Sequence, residues 1–521
     1  MLNNLSTIFS FFKDKKILVL LIFILSLILQ IYTINNDCGV QIDEPATFVS
    51  ITPSNTTSDG LFKQYWYYVN YSDAAKYDLS DIYDFLFVAK NTKKNIIEDL
   101  KIIREQKLET SHPTLYYSLA RIWNIIFTEH DNPITMLTNL RYMNILFFCI
   151  SFFFMYKLLD FFFDDKKCLL MGLCFTFFSS GILSLSAIAR EYALQCALFI
   201  ISTYIFSKMI KNAIDSIKYD IKTIVLYGLG LGLFLLTGYF AAIYVGLCFF
   251  VVALAIIQRK NFKQMMSLFL ILIISVLTVV ILCPNYFCID NDNEQISVIR
   301  NLLTLFNIST LKEGIPPVFS YLNKYMFYSE IFYPCLFLFL VNLVFNFKNN
   351  TTKFGEKLSL LFIFISLLWM FIVMNICVYK LSRYILAAFP ILSLLYVLFI
   401  KKSKPVLQIV IVLVFLFISV NQLASRDYFD GDKSGFISKR IYGSNIPVIL
   451  NNNNDWQAYY FIFCLKKKGV LLFKPTKEDL STPKFMYFVL NPDPLPSEKD
   501  AKTELLESRW NAEWYFVQKI N

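Results

Sequence analysis

Runs of about twenty apolar residues, separated by short lysine-rich or polar stretches, recur from residue 17 to residue 421. A helix of that length crosses the ~30 Å hydrocarbon core of a bilayer. Eleven such segments can be marked, at 17–34, 138–160, 167–188, 190–210, 222–237, 239–257, 265–284, 330–346, 358–379, 383–400 and 405–421. The first follows Lys13, Lys15 and Lys16 in the manner of a signal peptide, but no small-residue cleavage site follows it, so the pattern predicts a retained helix. A shorter apolar stretch, Pro113 to Phe127, breaks the parity of the crossings if it spans, and is placed as an interfacial or re-entrant element. The expected range is eleven to thirteen transmembrane helices.

Basic residues fall in alternate loops, as membrane topology requires. Lys166 and Lys167, then Lys211 and Lys218, then Arg259, Lys260 and Lys263, then Lys353 and Lys357, then Lys401, Lys402 and Lys404 mark one side. This predicts a cytoplasmic N-terminus, with residues 35–137, 285–329 and the tail beyond Asn421 outside the cytoplasm. Asn and Lys richness points to a bacterial source with an AT-rich genome, and so to a bacterial inner or plasma membrane. Composition agrees: 56% of residues are hydrophobic, 53 are Phe, and mean hydropathy is +0.52. The net charge of +10 is then mostly topological and suits anionic headgroups rather than nucleic acid. The eleven cysteines show no metal-ligand spacing, although Cys283 and Cys288 lie close enough at an outer helix end to pair. Two histidines, His112 and His130, are too few for a histidine-rich metal site.

Two regions interrupt the apolar pattern. Within the outer loop 35–137, residues 75–109 carry Ile82, Phe85, Leu86, Ile96, Ile97, Leu100 and Ile103 at helical spacing, which predicts an amphipathic helix on the bilayer surface. The last hundred residues alternate strand-like runs (IPVILNN, GVLLFKP, FMYFVLNP, EWYFVQK) with a helix-like one. They predict a small extracytoplasmic α/β domain at 422–521 behind a transmembrane domain at 1–421, with no Gly-rich phosphate loop. The expected fold class is therefore an all-α polytopic membrane protein with a C-terminal α/β domain.

The polar residues expected at the outer face are the candidates for chemistry. Asp43 and Glu44, in QIDEPATF, lie about nine residues beyond the first span. Alone they read as a solvated or capping turn. They have company: Ser111, His112 and Pro113 open the short apolar segment; Arg190, Glu191 and Tyr192 sit between two spans; Lys380, Arg383 and Tyr384 sit beside another. Membrane-edge charge is costly and commonly faces a cavity or a partner. Carboxylates that deprotonate an acceptor, set beside cations that neutralise a departing phosphate, suit transfer from a phosphorylated lipid. Arg190 and Glu191 read equally well as a structural ion pair, and His112 as a helix-start residue.

The order of these elements carries a resemblance. An acidic DE pair (Asp43–Glu44), HPTLYY (His112 to Tyr117), an LRxxN segment (Leu140 to Asn144), AREYAL (Ala189 to Leu194) and SRYILAAFP (Ser382 to Pro390) resemble the C-type membrane glycosyltransferases. More narrowly they are similar to the protein O-mannosyltransferase and lipid A aminoarabinose transferase superfamily (glycosyltransferase family 39-like), over roughly residues 15–420. That resemblance implies inverting transfer of a sugar from a polyprenyl-phosphate donor to a lipid, glycan or protein acceptor on the extracytoplasmic side. It makes Asp43 the general base, with Glu44 as its partner, and assigns Arg383, Lys380, Arg190 and His112 to the donor phosphate. Tyr116, Glu191, Tyr192 and Tyr384 are expected to bind substrate. A divalent cation between Asp43 and Glu44 is conceivable, though two carboxylates are too few to argue for one, and no metal site is assigned. Two departures stand out: Thr114 follows Pro113 where relatives have a second proline, and Gly238, in TGYFA, stands where they often carry histidine. The competing readings are a transporter or flippase and a non-catalytic glycan-assembly protein.

Overall fold

The computed structural model describes residues 15–36, 44, 47, 51, 75–78, 96–105, 115–127, 133–287, 308–345, 353–377 and 380–425, and five strands between 448 and 519. It divides into two compact units. One comprises residues 1–37, 104–116 and 141–431, the other 38–103, 117–140 and 432–521.

The first unit is a helix bundle. Its long apolar helices are α1 (Lys15–Asn36), most of α4 (Pro133–Phe162), α7 (Tyr192–Asp215), α9 (Tyr239–Gln258), α10 (Phe262–Leu282), α13 (Phe354–Ile376) and α16 (Pro405–Ser425). Between them lie α5 (Lys166–Phe177), α6 (Ser180–Leu183), α8 (Ile221–Leu235), α11 (Ile308–Leu322), α12 (Ser329–Phe345), α14 (Phe389–Leu392) and α15 (Leu394–Ile400). The helix α7 is the central one, with 83% of its most apolar stretch buried in protein, against 22% for α1. Exposed Leu226, Phe250, Phe269, Phe364 and Phe417 form an outer surface suited to hydrocarbon. A helix satisfies its own backbone there, so only its ends need polar partners. The side chains of Asp165, Asp220 and Asn261 supply them, accepting from the backbone N–H of Lys167, Thr223 and Gln264. The helices α8 and α10 approach closely because α8 offers glycine: a Cβ on Gly232 would lie 2.6 Å from Thr278 Cβ, and one on Gly228 2.6 Å from Ile274 Cβ.

The protein is a multi-pass integral membrane protein, but the count of spans is corrected. Among the described residues seven helices are long and apolar enough to cross, or eight if the bent pair α5 and Ser180–Ala187 is one span, not eleven to thirteen. The segment at 167–188 breaks at Ser179, whose extended backbone turns the chain by 59°. At the break, Ser179 and Ser184 donate to the carbonyls of Thr176 and Gly181, which lets polar backbone survive without a continuous helix. The segments at 222–237 and 330–346 form helices of 15 and 17 residues, and 383–400 divides into two 3₁₀ turns and the short α14 and α15.

The second unit contains strands β1 (Ala75–Asp78), β2 (Val448–Asn451), β3 (Val470–Phe473), β4 (Lys484–Leu490), β5 (Ala501–Arg509) and β6 (Ala512–Lys519). Four of them form a mixed sheet in the order β2-β4-β6-β5, with β2 parallel to β4 and the rest antiparallel. The expected α/β domain is corrected here, because the described residues beyond Ser425 are all in strands and include no helix. The 75–109 helix is corrected too. Ala75–Asp78 pairs antiparallel with Val470–Phe473, and among the described residues of that stretch the helical ones are α2, Ile96–Glu105. Cross-strand pairing four hundred residues away supplies those backbone hydrogen bonds, a long-range choice that helical spacing cannot report. Pro113 to Phe127 contributes α3 (Leu115–Phe127), thirteen residues and too short to cross. Inside this unit Arg121 and Asp99 form a buried ion pair, Nη2 to Oδ2 2.7 Å, with side chains 0% and 1% exposed.

Candidate active site

The helix directions give the first unit two ends. At one, the basic loops meet: Lys353 pairs with Asp164 at 2.8 Å, Lys401 with Glu356, and the Gln264 amide donates to the carbonyls of Asn212 and Ile217. The other end begins where α1 finishes, with Tyr142 donating to Asn35 at 2.7 Å. Most of the sequence-nominated polar residues of this unit lie at that second end.

The Arg190 segment is shaped by an asparagine. Asn144, on α4, donates its amide to the carbonyl of Ile188, and the Arg190 N–H donates to the same carbonyl at 2.8 Å. The chain is thereby turned so that Arg190 and Glu191 enter the bundle just before α7 begins at Tyr192. All three side chains are buried, and Arg190 Nε lies 3.4 Å from Glu191 Oε2. Charge at that depth requires compensation, so this pair is not a solvated surface feature. The LRxxN and AREYAL motifs are therefore one structural device, with Asn144 holding the turn that carries Arg190.

The SRYILAAFP motif packs against the same helix. Ser382–Tyr384 and Leu386–Ala388 are consecutive 3₁₀ turns, and the second lies on α7. The Arg383 guanidinium stands 5.8 Å from the Tyr384 ring centre. The Tyr384 ring in turn meets Phe240 edge-on at 5.9 Å, and the Phe240 carbonyl accepts the Trp369 indole N–H at 2.7 Å. Phe240 belongs to TGYFA, at the start of α9. A Cβ at Gly238 would lie 3.5 Å from the Gln195 amide nitrogen on α7, ordinary contact, so close packing is not what keeps a larger residue out. Three motifs remote in sequence, AREYAL, TGYFA and SRYILAAFP, thus converge on the first turns of α7. Lys380 precedes the Ser382–Tyr384 turn, and its carbonyl accepts the Tyr321 hydroxyl at 2.6 Å.

Of the remaining candidates, Glu44 is completely buried in the second unit, and Tyr116, at the start of α3, is 1% exposed. Asp43 and His112 lie outside the described residues. Cys283 is buried and Cys288 lies outside the described residues. Among the described residues no group of three His, Cys, Asp or Glu side chains is placed to hold a metal ion. The sequence reading missed Asn144 as a positioning residue, although it closes the LRxxN motif. It also missed the Asp99–Arg121 pair, whose signal was charge set within two otherwise apolar stretches, IIEDLKII and SLARIW.

The architecture is a polytopic membrane fold shared with solved membrane proteins. It is similar to the crystal structure of ArnT from Cupriavidus metallidurans bound to undecaprenyl phosphate, with a TM-score of 0.51 and 9% identity over 96% of this chain and 97% of that one. At that identity the likeness is one of fold alone. The same protein in its apo state gives 0.47 at 9% identity over 96% and 97% of the two chains. The Archaeoglobus fulgidus oligosaccharyltransferase crystallised with zinc and sulfate gives 0.41 at 12% identity, over 69% of this chain and 53% of that one. No family profile and no curated protein matches the chain by sequence.

Proposed function

We propose that the protein is an inverting glycosyltransferase that moves a sugar from a polyprenyl-phosphate donor to a lipid, glycan or protein acceptor at the extracytoplasmic face. The observation that carries this reading is the convergence of AREYAL, TGYFA and SRYILAAFP at the end of the bundle away from the basic loops. It is supported by a fold shared with a protein crystallised with undecaprenyl phosphate. Arg383 is half-buried, whereas Arg190 is fully buried beside Glu191, so Arg383 is assigned to the donor phosphate with Lys380 and His112 assisting. Arg190, Glu191 and Tyr192, all buried, shape the wall behind it, and half-buried Tyr384 is assigned to substrate.

In this reaction the Asp43 carboxylate removes the proton of the acceptor hydroxyl or amine, and the acceptor atom attacks the anomeric carbon. The bond from that carbon to the phosphate oxygen breaks on the opposite face, so the anomeric carbon is inverted and polyprenyl phosphate departs with the bonding electron pair. Guanidinium and ammonium groups offset the charge that develops on the leaving phosphate. Glu44, which is buried, is assigned as the partner of Asp43. A transporter reading has the broken α5–α6 pair in its favour. It leaves the acidic pair after the first helix without a task.

The test is sugar transfer in proteoliposomes supplied with membrane lipid extract. Asp43→Asn should lose on the order of 10²–10⁴-fold in turnover, the range of a general base, while inserting and eluting as wild type. Unchanged transfer by a folded Asp43→Asn protein would refute the assignment.

A further inference from the structure

The helices α9 and α10 are antiparallel neighbours joined by the turn Arg259–Asn261, and an open apolar groove of about 560 Å³ runs between them on the outer surface of the bundle. Phe249, Phe250 and Ala253 line one wall, and Phe262, Met266 and Phe269 the other. Phe250, Phe262, Met266 and Phe269 are 56–80% exposed, so no part of the chain's described residues fills it. The groove runs along α10 from Phe262 to Leu272. Ten residue steps at ~1.5 Å make roughly 15 Å, half the ~30 Å hydrocarbon core. It is therefore one leaflet deep.

Its mouth is cationic. Arg259, Lys260 and Lys263, in and beside the turn that joins the two helices at the groove's Phe262 end, are all exposed, RKNFK contains no acidic residue, and the N-terminus of the 21-residue α10 adds the positive end of its dipole. The adjoining turn, tied to Gln264 through the Asn212 and Ile217 carbonyls, adds Lys218 and Lys222 against Asp215 and Asp220 and so leaves the sign unchanged. We propose that this groove holds one anionic glycerophospholipid of the adjacent leaflet, its phosphate against Arg259, Lys260 and Lys263 and one acyl chain along α9 and α10. A zwitterionic lipid matches the groove but not the charge. A second copy of the chain would bring the same cations against each other. The site lies at the basic-loop end of the unit, away from the end assigned to the donor, and does not depend on that assignment.

Native mass spectrometry of the full-length protein tests it, after reconstitution with equimolar dioleoylphosphatidylglycerol and dioleoylphosphatidylcholine and mild delipidation. Wild type should retain one phosphatidylglycerol on the 60.8 kDa chain in preference to phosphatidylcholine. R259Q/K260Q/K263Q, which alters only exposed side chains, should lower that preference by at least about tenfold. Ala253→Trp, which fills the groove and keeps the charges, should abolish retention of both lipids at an unchanged elution volume. Equal retention of the two lipids by wild type, or undiminished phosphatidylglycerol on the triple variant, would overturn the proposal. So would a wild-type mass of two chains that Ala253→Trp converts to one.

Discussion

Removing Arg121 should damage the second unit far more than removing both members of its ion pair. Arg121 and Asp99 are 0% and 1% exposed, joined by contacts of 2.7 Å and 2.8 Å. Burial is the largest influence on Arg121 and pulls its guanidinium below the usual arginine range, although the charge of Asp99 and its hydrogen bond push the other way. The sign matters: a base whose folded pKa is lowered has a charged form that the fold disfavours, so desolvation here outweighs attraction. Arg121→Met deprives the buried Asp99 carboxylate of this partner and should cost ~3–5 kcal/mol, with a similar cost for Asp99→Leu. If the two changes were independent, the double variant would lose ~6–10 kcal/mol. Because both charges then leave together, Asp99→Leu/Arg121→Met should instead fall within ~1 kcal/mol of wild type or be more stable. Urea unfolding at fixed detergent concentration, followed by near-ultraviolet circular dichroism, measures all four proteins. Additive losses in the double variant, or a single variant as stable as wild type, would refute the reasoning.

Further expectations follow from other contacts. Gly232→Leu should weaken the α8–α10 packing by at least ~1–3 kcal/mol, since its Cβ alone would meet Thr278 Cβ at 2.6 Å and Ser275 O at 2.9 Å, whereas Gly246→Ala, with nothing within 4 Å, should leave thermal stability in detergent unchanged. Asn144→Leu should lower transfer at least ~10-fold through the Ile188 turn while the donor still binds, which a split of kcat from donor KM would report. Arg383→Ala should weaken donor binding more than Arg383→Lys does, read by titrating polyprenyl phosphate as a competitor. The exposed pair Lys353–Asp164 raises the Lys353 pKa through its hydrogen bond and charge. Its small contribution should be present below the ordinary lysine value of ~10.4 and vanish as pH rises through the higher folded value. The melting temperatures of wild type and Asp164→Asn should therefore converge in strong alkali, and a constant difference across that range would contradict this.

What the sequence made legible was set by how local the governing interaction is. Long uninterrupted apolar runs such as 239–257 and 265–284 became α9 and α10 nearly residue for residue, because a lipid-embedded helix needs nothing beyond its own backbone and an apolar surface. Where serines or membrane-edge charges interrupt the run, hydropathy averaging overstated it: Ser179 breaks one segment and the Ser382–Ala388 turns another. The strands of the second unit depend on distant partners, so Ala75–Asp78 read as helix until Val470–Phe473 was beside it. At the site, the motif residues were visible as charges in apolar surroundings, but their grouping was not. Nothing local tells Asn144 that it will hold Ile188, or Phe240 that it will meet Tyr384.

The most direct measurement of the account's central claim is mass spectrometry of lipids co-purified with wild-type and Asp43→Asn protein in mild detergent, against an unrelated polytopic control. A polyprenyl-phosphate sugar enriched on the Asp43→Asn protein, with sugar-free polyprenyl phosphate on wild type, is the result predicted for stalled transfer. Equal absence of any prenyl lipid from both proteins, each shown to be folded and each failing to bind added polyprenyl phosphate, would contradict it.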